Sequence, residues 1–270
     1  MYRLQNTVSL MIEEIKRRDK MLGSEPKKSY SLLLKVLLHA LGVDHFPEIE
    51  NNVLFSGLVN TVHRLVADIN SVIQHRFAEA SLYIKDSIMT LEQRKHSARP
   101  LYLILCDAFS ITEYMFMIHM FRGLVQAEET FCTVNPSGKT KTFEHLANEY
   151  LNIETAPFSE ELTMKKVGDG LRLKLGAYGY AVFRDFDRLI HWGGEYRNLD
   201  EMINSLFKVS MKLCRISQKW LTNKYDVLIM ADHGYDVIKE NDLWKLTHRW
   251  VKGELCVSPF VPLLSLTGGS

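Results

Sequence analysis

Residues 100–113, PLYLILCDAFSITE, decide the fold. Pro100 precedes an unbroken apolar run from Leu101 to Cys106, the length of a strand, with no polar residue alternating through it. Such a run is expected of a strand covered on both faces, as in a parallel sheet flanked by helices. Asp107 closes the run. Ser110 then stands three residues ahead of Glu113 with the spacing of a capping box, which opens a helix through SITEYMFMIHMFRGLVQ, residues 110–126. The unit reads strand, acidic tip, helix, and it gives Ser110 a structural task.

The same unit recurs outward from this stretch. ETFCTV (129–134) reads as a second strand, followed by the loop NPSGKT (135–140) and a helix, KTFEHLANEYL (141–151). After a less legible middle, YGYAVF (178–183) is a strand running into the polar turn RDFDRLIHWGG. An amphipathic helix, LDEMINSLFKVSMKLCRISQKWL (199–221), comes next. YDVLIMADHGYDV (225–237) is an apolar strand ending in Asp232-His233-Gly234 and a loop, and ELCVSPFVPLLSL (254–266) offers one or two more strands. Strands alternating with helices predict an α/β sandwich whose functional residues lie at the strand C-termini. Residues 1 to about 95 read instead as helix throughout, with apolar residues at three- and four-residue spacing. The expected organisation is a helical N-terminal segment, 1–97, and an α/β domain, 98–270.

Composition narrows the function classes. In 270 residues, 46% are hydrophobic and 24% charged, as in ordinary soluble globular proteins. A formal charge of +1 exerts no global pull toward nucleic acid or anionic lipid, and leaves only a local basic groove open. Cys106, Cys132, Cys214 and Cys256 are scattered without a C-x-x-C pair, which argues against a zinc ribbon or a disulfide framework. The N-terminus has charges every few residues, unlike a signal peptide, and no run approaches the ~18 apolar residues of a membrane span. The expected location is the cytoplasm, away from membranes.

Four residues stand at or just past strand ends: Asp107, Asp187, Asp232 and His233. Asp187 and His191 are four apart, so a helical turn there would put both on one face, able to share a metal. His248 follows in KLTHRWVKG. Carboxylates with imidazoles suit zinc or manganese. A lone Asp after a strand is ordinarily a turn former or helix cap, and His39, His63, His75, His119 and His145 are expected to be packed or solvated. Two metal-capable side chains followed by glycine, at Asp232-His233-Gly234, are an uneconomical way to build a plain turn. The loop at 131–140, FCTVNPSGKT, ends like a phosphate-binding P-loop, but Thr133 occupies the place of its first glycine and Pro136 removes a backbone donor. A P-loop NTPase is therefore only a third, weak reading, and it would leave Asp232-His233-Gly234 unexplained.

LYLILCDAF, VLIMADHGY, FRDFDRLIH and THRW, in this chain at 101–109, 227–235, 183–191 and 247–250, resemble the PglZ-type branch of the alkaline phosphatase superfamily. The resemblance covers residues 100–265. It implies an alkaline-phosphatase-like sheet flanked by helices, and two divalent metals about 4 Å apart. Zinc is the expected metal and manganese the alternative. One would be held by Asp107, Asp232 and His233, the other by Asp187, His191 and His248. It further implies a phosphohydrolase, foremost a phosphodiesterase acting on a nucleotide or nucleic-acid phosphodiester and linked to phage defence.

In that family the loop after the second strand carries a Thr or Ser nucleophile that attacks phosphorus once the metals have activated its hydroxyl. Here the loop reads Thr133-Val134-Asn135-Pro136, which places Asn135 where the hydroxyl would stand, with Thr133 and Ser137 two residues to either side. A register shift would bring Ser137 in. Ser110 also replaces an arginine common in the family. A second reading follows, a catalytically impaired binding or signalling module, in which the N-terminal helices dock a protein partner or dimerise.

Overall fold

The computed structural model of the chain describes residues 50–60, 99–121, 131–134, 165–166, 177–248 and 260–267. The elements follow in the order β1 (Leu101–Cys106), α1 (Ile111–Met120), β2 (Phe131–Val134), β3 (Lys165–Lys166), β4 (Ala177–Phe183), α2 (Asp185–Trp192), α3 (Leu199–Thr222), β5 (Asp226–Ala231), β6 (Asp236–Glu240), β7 (Leu243–Thr247) and β8 (Phe260–Leu266). Residues 51–60 are also helical. Six strands form one sheet in the order β2-β8-β5-β1-β4-β3, and β6 and β7 form a separate hairpin. β1 lies at its centre, parallel to β4 on one side and β5 on the other. The apolar run at Leu101–Cys106 thus occupies the most covered position, as its lack of alternation requires.

The sheet is mixed. β8 runs antiparallel to β5, β2 antiparallel to β8, and β3 antiparallel to β4. Two reversals return β2 to the direction of β5. Leu263 pairs with both Met230 and Phe131, and Val134 pairs with Phe260, so β2 ends at the same sheet edge as β5 and β1. Cys106 is level with Phe183 and with Ala231. The residues that follow these three strands therefore emerge side by side.

α1 is buried from Ile111 to Ile118 on every side, which is why its sequence shows apolar residues all round rather than a stripe. It packs on the sheet at β8 and against α3. Residues 51–60 bury Leu54, Phe55, Leu58 and Val59, and Phe55 meets Phe116 of α1 at 5.2 Å and Phe207 of α3 at 5.7 Å between ring centroids. This part of the expected helical segment 1–97 is packed on its own chain. α3 starts at an Asn198 cap that accepts from the Glu201 N–H at 2.8 Å, with Asp200 and Glu201 in its first turn. Met202, Ile203, Leu206, Ser210, Leu213, Cys214, Ser217 and Leu221 form its buried stripe. Cys106 and Cys214 are free and buried.

Two expectations change. The stretch after Asp232-His233-Gly234, read as a loop, is the β6–β7 hairpin, tied to the rest by Tyr196, whose N–H and carbonyl each bond Trp244 at 2.8 Å. The polar turn after β4 is the helix α2. The remaining parts of segment 1–97, the helix 141–151, and Asn135 and Ser137 lie outside the described residues. No helix among the described residues is long and apolar enough to cross a membrane.

Candidate metal centre

The cluster is built from the loops that leave β1, β4 and β5, closed by the residue after β7. Asp107 follows β1 directly, and its N–H donates to the Phe183 carbonyl at 2.9 Å. Ala108 takes a left-handed φ of 71°, which costs an L-residue about 1 kcal/mol. This turn aims the Ala108 N–H at Asp232 Oδ1, 3.1 Å away. The same oxygen accepts from the His233 N–H at 2.8 Å. One carboxylate oxygen of Asp232 therefore staples the β1 and β5 loops together, while Oδ2 lies 3.5 Å from His233 Nε2.

His233 is fully buried. Its Nδ1 is 2.8 Å from the Gly234 carbonyl. A carbonyl only accepts, so Nδ1 donates and Nε2 is left facing Asp107 Oδ1 at 3.4 Å and Asp232 Oδ2. Burial is the largest single influence on the ring and favours its neutral form. Asp232, Asp107 and the Gly234 carbonyl together outweigh it and raise the imidazole pKa to about 9.

α2 brings the second half. Phe186 is buried against Phe183 and Phe109, and Asp185 pairs with Lys212 of α3, so the helix is held at its start. That orientation turns Asp187 and His191, one helical turn apart, into the cluster, with His191 Nε2 3.2 Å from Asp187 Oδ1. The helix stops at Gly193, where a Cβ would sit 2.4 Å from the Leu189 carbonyl oxygen, and Gly194 reverses the chain at φ 77°. His248, one residue past β7, closes the site. Its Nε2 is 3.0 Å from His191 Nε2 and 3.9 Å from Asp187 Oδ1, and its ring stacks on His233 with centroids 4.4 Å apart.

Two sets of donor atoms result, each lying within 4.8 Å of one another: Asp187, His191 and His248, and Asp107, Asp187 and His233. The first is the second triad expected from the sequence. The second contains Asp187 as well, so one carboxylate belongs to both, and Asp232 stands beside it. Asp187 is pushed above the usual carboxylate range, by burial first and then by the negative charge of Asp107. Asp107 Oδ1 is buried and makes no hydrogen bond among the described residues. A cluster of carboxylate oxygens and imidazole nitrogens with such a buried acceptor can hold a metal ion.

Three residues that the sequence did not place at the cluster lie close to it in the fold or are tied to its loops. Arg184, the residue after β4, brings its Nε to 3.8 Å from Asp107 Oδ2 and keeps over a third of its side chain exposed, a cation at the rim of an acidic cluster. Its place directly after β4 was a usable signal. Glu113 and Tyr235 form a buried hydrogen bond, the Tyr235 hydroxyl donating to Glu113 Oε1. No spacing rule could have joined residues so far apart. Thr133 lies in β2, two strands from β5 and about 10 Å to the side. No protein-family model matches the chain, and no curated protein matches it either.

Proposed function

We propose that the protein is a metal-dependent phosphohydrolase, foremost a phosphodiesterase acting on a nucleotide or nucleic-acid phosphodiester, with a PglZ-like site. The observation that supports this most is the shared carboxylate: Asp187 joins two Asp/His donor sets at the C-terminal edge of three parallel strands. Asp107, Asp187 and His233 would hold one divalent cation with Asp232 beside them, and Asp187, His191 and His248 the other, zinc or manganese in each. Bound there, the cations supply positive charge to a phosphoryl oxygen and raise the acidity of a hydroxyl.

The chain's own groups do the rest. Arg184, at the rim, meets an anionic oxygen of the ester. Thr133, in β2, and Ser137, in the stretch that follows it in sequence, are the hydroxyls proposed as nucleophile. Asn135 favours a second reading, a module that binds a phosphorylated ligand without cleaving it, because an amide cannot serve as nucleophile.

Metal stoichiometry by mass spectrometry tests the first step. Close to two metals per chain are expected, with a clear loss in Asp232→Ala. Hydrolysis of bis-p-nitrophenyl phosphate, stopped by chelator and by Ser137→Ala or Thr133→Ala, is the second expected result. No metal after incubation with zinc or manganese overturns the proposal, whereas metal without hydrolysis selects the binding module.

A further inference from the structure

Glu113 and Tyr235 belong to no donor set, yet both are fully buried, and each is joined in sequence to one side of the cluster. Glu113 sits in the first turn of α1, where Oε2 accepts from the Ser110 N–H at 3.0 Å, three residues past Asp107. Tyr235 follows Gly234, whose carbonyl orients the His233 ring. Its hydroxyl reaches across to Glu113 Oε1. The bond therefore ties the loop that carries Asp107 to the loop that carries His233.

From this geometry we infer that the Tyr235–Glu113 bond is the positioning device of the cluster, setting the Gly234 carbonyl and through it the direction of His233 Nε2. A capped helix needs only one carboxylate oxygen, on the Ser110 N–H, and the second is free to take this task. Burial also keeps Glu113 largely protonated at neutral pH, so a neutral amide of the same shape can replace it. In Glu113→Gln the amide oxygen would accept from the Ser110 N–H, and the amide nitrogen would donate to the tyrosine oxygen, reversing the present bond but keeping the two loops tied. In metal sites, the groups that orient a ligating imidazole typically govern metal affinity by ~10–100-fold.

The inference concerns the same site as the proposed hydrolase, so its test has a reading that needs no metal. In metal-free protein, the His233 Nδ1 proton bonded to Gly234 is followed by nuclear magnetic resonance for its exchange with solvent. Tyr235→Phe, which removes one oxygen, and Glu113→Leu are expected to speed that exchange at least ~10-fold, while Glu113→Gln keeps it near wild type. Zinc affinity, read by competition with a chromogenic chelator, is expected to fall ~10-fold in the first two and to hold in the third. Wild-type exchange in Tyr235→Phe overturns the inference, and this variant decides it even if Glu113→Leu does not fold. A wild-type chain that binds no zinc would instead remove the hydrolase reading, with the exchange comparison still decisive for the positioning role.

Discussion

Asp187 occupies the position where charge is most concentrated, between Asp107 on one side and His191 and His248 on the other. Without a cation, burial and the neighbouring carboxylate penalise its ionised form. With cations on both sides, the same charge is compensated twice. Asp187→Asn should therefore take bound metal from about two per chain to near none, since both sets lose a ligand. His248→Ala should leave about one. The metal-free Asp187→Asn protein should also unfold at a higher temperature than metal-free wild type at neutral pH, because its amide carries none of the half-buried charge that desolvation and Asp107 penalise. Elemental analysis and thermal unfolding in chelator check the two halves separately.

At the scale of elements, the candidate metal-binding residues are placed by packing and pairing elsewhere on their elements. α2 presents Asp187 and His191 because Phe186 is buried beneath it and Lys212 holds Asp185. The hairpin presents His248 because Leu246 is buried and Trp244 is bridged to Tyr196. α1 is anchored at its start by Glu113, whose pKa burial raises from 4.5 to about 8 against the smaller lowering by Tyr235 and the backbone. Its sign follows from linkage. Below about pH 4.5 the carboxyl is protonated in folded and unfolded chains alike, and its contribution to stability is complete. As pH rises toward 8 the unfolded chain ionises while the folded one resists, so stability falls. At pH 7 the difference is about 3 kcal/mol, at about 1.4 kcal/mol for each tenfold change in proton affinity. Glu113→Gln should remove this slope. Its unfolding free energy in urea should match wild type near pH 4 and exceed it by about 3 kcal/mol at pH 7, in metal-free protein.

Across the whole molecule, the two edges of the sheet are put to different uses. At the edge where β1 and β5 begin, Arg99 donates to the Leu221 and Lys224 carbonyls at 3.2 Å, closing the end of α3, and Tyr102 stacks on Trp220 with centroids 3.9 Å apart. That edge is apolar packing and capping. At the opposite edge Asp107, Asp187, Asp232 and three histidines crowd together, the carboxylates offset in part by His233 and Arg184. Ligand binding that is selective for the folded chain stabilises it by mass action. Zinc at a hundred times its dissociation constant should raise stability by about 2.7 kcal/mol per site, visible as a higher unfolding temperature that chelator reverses. An unfolding temperature indifferent to zinc would show that the edge holds none.

The strands were legible in the sequence because each buried strand is a short local signal: β1 begins and ends where its apolar run does, and β5 and β4 carry the same texture. The candidate residues were legible too, since a polar side chain directly after such a run has few other reasons to be there. The mixed direction of the sheet was not, because an apolar strand such as β8 reads alike in either orientation. Nor was the hairpin β6–β7, whose half-exposed strands lack a continuous apolar run. That Asp187 belongs to two donor sets, that Arg184 meets Asp107, and that Tyr235 reaches Glu113 were decided by tertiary structure alone. Local sequence governs which residues can occupy a strand end. Only strand order and register determine which strand ends are neighbours, and a shared ligand is a property of neighbours.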